Sequence, residues 1–209
     1  MESTISRFFK YKNEVVEPVI PANEKGKSLD LHHSVTKENV TEADKFYELA
    51  CWRLQRPWLW HELSGKLTAE FKVPDLSGGS DQHPVAVDDY IQINLPAPGN
   101  DWVRVKSIEE DFKKDSDKSF AITLIVAEDP GDNSNDVNHF FSEGATSTFI
   151  ISRKDKVVTA SYHGRNETPN TEASNIGEVV RNVVVAMGAI AGLSELQWMA
   201  LLKGLMNDG

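Results

Sequence analysis

The sequence predicts an α+β fold: a bent antiparallel sheet or partial β-barrel of about five to six strands, flanked by N-terminal helices and a C-terminal αα-hairpin. Three observations carry this. Helical spacing of apolar residues runs over 41–64, strict alternation replaces it from Lys66, and helical spacing returns after residue 175. The connections between the alternating segments are short enough for antiparallel pairing. With 209 residues and a 40% apolar fraction, the chain can bury a sizeable core without staples.

Residues 1–40 are weakly periodic, and Pro18 and Pro21 preclude a long helix there. They read as a partly ordered arm, docked where Val15, Val16, Val19 and Ile20 meet apolar surface. Residues 41–209 read as one domain. Thr41, with Asp44 three positions on, resembles a capping box, and Phe46, Leu49, Ala50 and Trp52 follow helical spacing. Pro57 breaks that helix and suits the first turn of a second, 58–63, which Gly65 ends.

From 66 to 163 the reading is strands. Leu67, Ala69, Phe71 and Val73 alternate with polar residues, as do Ile91, Ile93 and Leu95. Pro96–Asn100 is a turn leading to a strand over 102–108. The acidic stretch 109–118 reads as a loop before a strand in which Phe120, Ile122, Leu124 and Val126 share a face. Residues 146–153 and 156–163 form a hairpin across Lys154-Asp155. Ile176, Val180, Val183, Met187 and Ile190 then make an apolar stripe. Ser194 with Gln197 caps a final helix bearing Trp198, Leu201, Leu202 and Leu205, so that 175–207 is a helical hairpin.

The formal charge is −10, and its excess is local: residues 81–145 carry 14 acidic and 5 basic side chains. Such a surface repels phosphate backbones and anionic membranes, so neither nucleic acid nor membrane is an expected partner. No apolar h-region opens the chain and no run is long enough to span a bilayer, which reads as cytoplasmic. The single cysteine, Cys51, excludes an internal disulfide and the thiolate zinc patterns, and its neighbours Leu49, Ala50 and Trp52 mark it as core.

No motif fixes a reaction or a cofactor; phosphate-binding, dinucleotide and nucleophile-elbow signatures are lacking. The oxygen-rich stretch 132–136, with Glu143, resembles a calcium loop, but Val137 stands where the sharp turn requires glycine. It reads as acidic surface, and no metal is assigned. The six histidines form no zincin-like pair.

The segment closing the last strand is the candidate ligand site: His163, Arg165, Asn166 and Glu167, with Trp102 as an aromatic wall. In extended backbone, His163, Arg165 and Glu167 would share a face with Thr159 and Ser161. Arg165 offers a planar fork for a carboxylate or phosphate, and His163 with Glu167 can exchange a proton. The structural alternative is an internal Arg165–Glu167 pair, with the asparagines forming turns.

These features imply a binding module whose partner is a protein or small-molecule ligand held on the curved sheet, with no cofactor and no catalytic residue assigned. Trp58, Trp60 and Trp102 are its candidate lining. The competing reading is a small metal-independent hydrolase or isomerase built on the His163–Arg165–Glu167 cluster, with His139 as a further member.

Overall fold

The computed structural model describes residues 19–65, 69–76, 78–94, 100–113, 117–131, 141, 144–168 and 195–208. Its strands are β1 (Lys27–Thr36), β2 (Glu70–Lys72), β3 (Tyr90–Asn94), β4 (Asn100–Lys113), β5 (Asp117–Val126), β6 (Thr146–Lys154) and β7 (Val157–Glu167). All pair antiparallel in one curled sheet of order β1-β7-β6-β5-β4-β3-β2. Among the described residues the count is therefore seven rather than five or six.

The added strand is β1, within the segment read as an arm. It lies beside β7 from Lys27↔Glu167 to Thr36↔Val157. As an edge strand it needs to bury only one face against one neighbour, and of its side chains only Leu31 is fully buried. Upstream of it, Val19 and Ile20 are buried against Ala121 and Ile150 on the outer face of the sheet.

Within the acidic stretch 109–118, expected as a loop, residues 109–113 and 117–118 are strand instead. Glu109, Glu110 and Asp111 pair with Ala121, Phe120 and Ser119, and β4 and β5 form one long hairpin. Backbone pairing does not depend on side-chain charge, so a charged run can end a strand. Two-residue reversal at Asp155 and Lys156 joins β6 to β7, with Asp155 in the left-handed region at φ 51°.

Among the described residues, three helices cover the concave face. Helix α1 (Val40–Leu54) starts one residue earlier than expected, because Asn39 is the cap: its side chain accepts from the Glu42 N–H at 2.9 Å. After the 3₁₀ turn Pro57–Leu59 comes α2 (Trp60–Ser64), ended by Gly65 at φ 94°. Helix α3 spans 195–205. A side chain at Gly204 would strike the Leu63 carbonyl, so this glycine permits close approach of α3 to the end of α2. The earlier C-terminal stripe, Ile176 to Ile190, lies outside the described residues.

The core is the space between sheet and helices. Alternate residues from the strands, such as Phe71, Ile91, Val105, Ile122, Phe149 and Tyr162, meet Phe46, Ala50 and Leu54 of α1 and Leu201, Leu202 and Leu205 of α3. At its centre Trp60 packs on Phe71 and Phe149, both with ring centroids 5.2 Å away. Cys51 is buried there as a free thiol, as its apolar neighbours imply. No helix among the described residues is long and apolar enough to cross a membrane.

Candidate functional site

The last strand decides how the candidate residues are distributed. Along β7, Val158, Ala160, Tyr162 and Gly164 turn inward, while Thr159, Ser161 and His163 face outward. That alternation fails after Arg165. Asn166 adopts φ 57°, and the register against β1 slips between Lys27 and Leu29, the mark of a β-bulge. Glu167 is thereby returned to the inner face. The expectation that His163, Arg165 and Glu167 share one face is thus corrected: the first two do, and Glu167 does not.

On the outer face, Asp30 of β1 lies opposite His163. Its Oδ1 is 2.6 Å from His163 Nδ1 and accepts from Arg165 Nη2 at 2.7 Å. Arg165 also donates to the Gly164 carbonyl at 2.7 Å. The partner of Arg165 is therefore Asp30, in place of the internal pair with Glu167. His163 Nε2 is 3.1 Å from Ser161 Oγ. Burial pushes the Asp30 carboxyl up, but the hydrogen bonds from His163 and Arg165 together hold it below the ordinary range. Burial also lowers the His163 imidazole, against the opposing pull of Asp30.

Asn166 acts as a clasp. Its side-chain oxygen accepts from the Glu24 and Lys25 N–H groups at 2.7 and 3.2 Å. Its amide donates to the carbonyls of Ala22 and Gly144, each at 3.3 Å. These bonds hold the segment that precedes β1 against the end of the sheet.

On the inner face, a chain of polar groups enters the aromatic core. Ser147 Oγ is 3.1 Å from the Tyr162 hydroxyl, which donates to Glu167 Oε1 at 2.9 Å. Tyr162 is 1% exposed and Glu167 8%. Burial raises the Glu167 carboxyl, outweighing the bond from Tyr162 and the charges of Lys27 and Arg165. Burial, then the Glu167 charge, moves the Tyr162 phenol upward as well. Trp198 of α3 stacks on Tyr162 at 5.2 Å and 20° and meets Phe149 edge-on at 5.3 Å. Gly164 is the floor: a Cβ there would overlap the Glu167 carboxyl and lie 3.0 Å from the Tyr162 hydroxyl oxygen.

Trp102 belongs to neither cluster. It is buried on β4, opposite Gln92 and three strands from β7. At ~4.8 Å per strand and ~3.3 Å per residue, it stands on the order of 20 Å from His163. Trp60 is central core, and Trp58 packs at its margin. His139 and the acidic stretch 132–140 lie outside the described residues, as does Glu143. Among the described residues, no group of three His, Cys, Asp or Glu side chains could hold a metal ion.

Sequence reasoning missed Asp30, Tyr162 and Ser147. Tyr162 carried a signal, since it occupies an inward position of the alternation. Asp30 carried none without knowing that β1 exists.

No family model matches the chain, and no curated protein matches it. Among solved structures it is similar to Protein Ms6760 from Mycobacterium smegmatis, at 14% identity and a TM-score of 0.39, over 87% of this chain and 91% of that one. It is similar to ginseng major latex-like protein 151 from Panax ginseng at 13% identity and a TM-score of 0.36, covering 82% and 99%. Truncated norcoclaurine synthase from Thalictrum flavum follows at 11% and 0.35, covering 90% and 100%. Likeness at this level assigns no family and no activity, and the functional reading rests on the chain's own residues.

Proposed function

We propose that this chain is a binding module for a small, mainly apolar molecule bearing one basic or hydrogen-bonding group, taken up at the inner face where β6 and β7 meet α3. The observation that carries this reading is the Ser147–Tyr162–Glu167 chain. A carboxyl group is sunk in an aromatic surface, and its described hydrogen bond comes from a phenol rather than from a cation. Binding sites of this class are mostly apolar, with a few placed polar groups that fix orientation. Phe149, Tyr162 and Trp198 supply the apolar wall. Glu167 supplies either an acceptor for an amine or, when protonated, a donor.

The test is displacement of a fluorescent apolar reporter by three C12 probes: dodecylamine, dodecanol and dodecanoate. The amine and the alcohol should displace it, and the carboxylate should not. Glu167→Gln should weaken the amine about tenfold, the worth of one charge-assisted hydrogen bond. Failure of all three probes, or equal amine affinity in Glu167→Gln, would overturn the reading.

A further inference from the structure

Away from that inner site, the outer face of the β1–β7 pair carries a hydroxyl, an imidazole and a carboxylate in series. Ser161 Oγ lies 3.1 Å from His163 Nε2, and His163 Nδ1 lies 2.6 Å from Asp30 Oδ1. The two ring nitrogens are thus engaged at opposite ends of one line. We propose that Ser161, His163 and Asp30 form a nucleophile–base–orienter relay able to take up the acyl group of an activated ester.

The geometry follows from the sheet. Ser161 and His163 are two residues apart on one strand, so they share a face. Asp30 is the direct cross-strand partner of His163, and His32 that of Ser161. Cross-strand side chains on one face have Cβ atoms about 5 Å apart. Four functional groups are therefore fixed by backbone pairing rather than by a loop, the rigid support that a reacting constellation requires. Arg165 makes a second bond to Asp30 Oδ1, which keeps that carboxylate ionised and in place. The carboxylate in turn fixes the tautomer of His163 with its proton on Nδ1, leaving Nε2 free to accept. Burial keeps the imidazole neutral at neutral pH, the state a general base needs.

The reaction balances without a cofactor. Ser161 Oγ bonds to the ester carbonyl carbon as its proton passes to His163 Nε2, giving a tetrahedral oxyanion. Collapse breaks the bond to the alcohol, which leaves with that proton, and Ser161 is acylated. Water then attacks the acyl carbon through the same base, releasing the acid and restoring Ser161. His32, the cross-strand partner of Ser161, is the side-chain donor assigned to the oxyanion, since β7 is paired on both sides and its N–H groups are committed to the ladders. With one such donor, activated esters are substrates and amides are not. In this scheme Ser161, His163 and His32 touch the reacting atoms, whereas Asp30 and Arg165 are positioning residues.

The experiment is covalent labelling of the intact chain with an alkyl fluorophosphonate, with the adduct mapped by peptide mass spectrometry. The expected result is a single adduct on Ser161, absent in Ser161→Ala. Its formation rate should fall about a hundredfold or more in His163→Ala, the usual contribution of a general base. In the wild type the rate should rise with pH through the titration of His163. In Asp30→Asn it should be slower, with its midpoint displaced to lower pH, a change that loss of a structural contact alone would not produce. If His163→Ala fails to fold, His163→Gln, which retains hydrogen-bonding atoms, replaces it. No adduct on Ser161 in the folded wild type, or an adduct formed equally fast without His163, overturns the proposal.

Discussion

Replacing Gly164 by alanine tests the inner polar chain directly. The new Cβ would overlap the Glu167 carboxyl, with Cδ at 2.8 Å and the Tyr162 hydroxyl oxygen at 3.0 Å. The carboxyl is the far end of a flexible side chain and can yield, but it must then leave its bond with Tyr162. That bond is charge-assisted when Glu167 is ionised and buried, worth about 1.5–3 kcal/mol. Against this loss, alanine recovers about 0.5–1 kcal/mol that glycine forfeits within a strand. The net expectation is a destabilisation of roughly 1–2 kcal/mol. In a Glu167→Ala background the obstructing carboxyl is gone, and Gly164→Ala should be neutral or stabilising by up to about 1 kcal/mol. Urea midpoints of the four proteins close the cycle, with a coupling energy of about 1–3 kcal/mol. Simple additivity would show that Glu167 does not occupy the space above Gly164.

Further expectations follow from the same contacts. Arg165→Ala should cost about 2–3 kcal/mol in urea titration, for lost charged bonds to the Gly164 and Leu29 carbonyls; Asp30 is more than half exposed and can be rehydrated, so a loss above about 4 would contradict this. Because burial raises the Glu167 carboxyl, its proton favours the folded state. Stability from that group is full below the ordinary value of 4.5 and is lost as pH rises through the folded value, so Glu167→Gln should flatten this decline above pH 4.5. His163 acts in the opposite sense: its lowered value means stability lost as pH falls below 6.5, and His163→Gln should remove that acid-side slope. Cys51, buried with its thiol pushed far upward, should resist a disulfide reagent until urea unfolds the chain; prompt labelling of the native protein would contradict its place in the core. Asn166→Ala should release the segment before β1, so that limited proteolysis cuts between 19 and 26; cutting first within 27–36 would deny the pairing of β1 with β7.

What the sequence makes legible is governed by how completely one face of an element is buried. Ala69, Phe71 and Val73 alternate because β2 and its flanks meet the core on one side only, and all three are buried. Leu201, Leu202 and Leu205 read as an inward stripe for the same reason. Strand β1 is faint because an edge strand with a histidine at an inward position presents little apolar contrast. The hairpin tip of β4 and β5 is masked by Glu109, Glu110 and Asp111, whose charge resembles a loop although their backbones are paired. Of the candidate site, His163 and Arg165 were legible as neighbours because period-two geometry holds between them. Asp30 was not, since it comes from a strand more than a hundred residues away, and Tyr162 was legible only as an inward residue of ordinary core.

The bulge at Asn166 explains why period-two reasoning divides a real cluster in the wrong place. A left-handed asparagine costs about 1–2 kcal/mol relative to extended backbone. Here the cost is offset by four side-chain hydrogen bonds to the segment before β1 and to Gly144. Once that residue is turned, Glu167 must face the core instead of the solvent side. One reversal therefore produces two separated sets of groups from a five-residue stretch. Arg165 and His163 stay outside, where Asp30 ionises against them, and Glu167 goes inside, where burial favours its protonated form. Had the strand remained regular, Glu167 would have stood beside Arg165 on the outer face, and the two charges would have neutralised each other there. The inner face would then lack its carboxyl, and Asp30 would face competition for Arg165. The two chemistries inferred for the faces of β7 thus depend on the same backbone residue. Asn166→Gly, which keeps the left-handed backbone but deletes the clasp, is the variant that should preserve both while loosening the N-terminal segment.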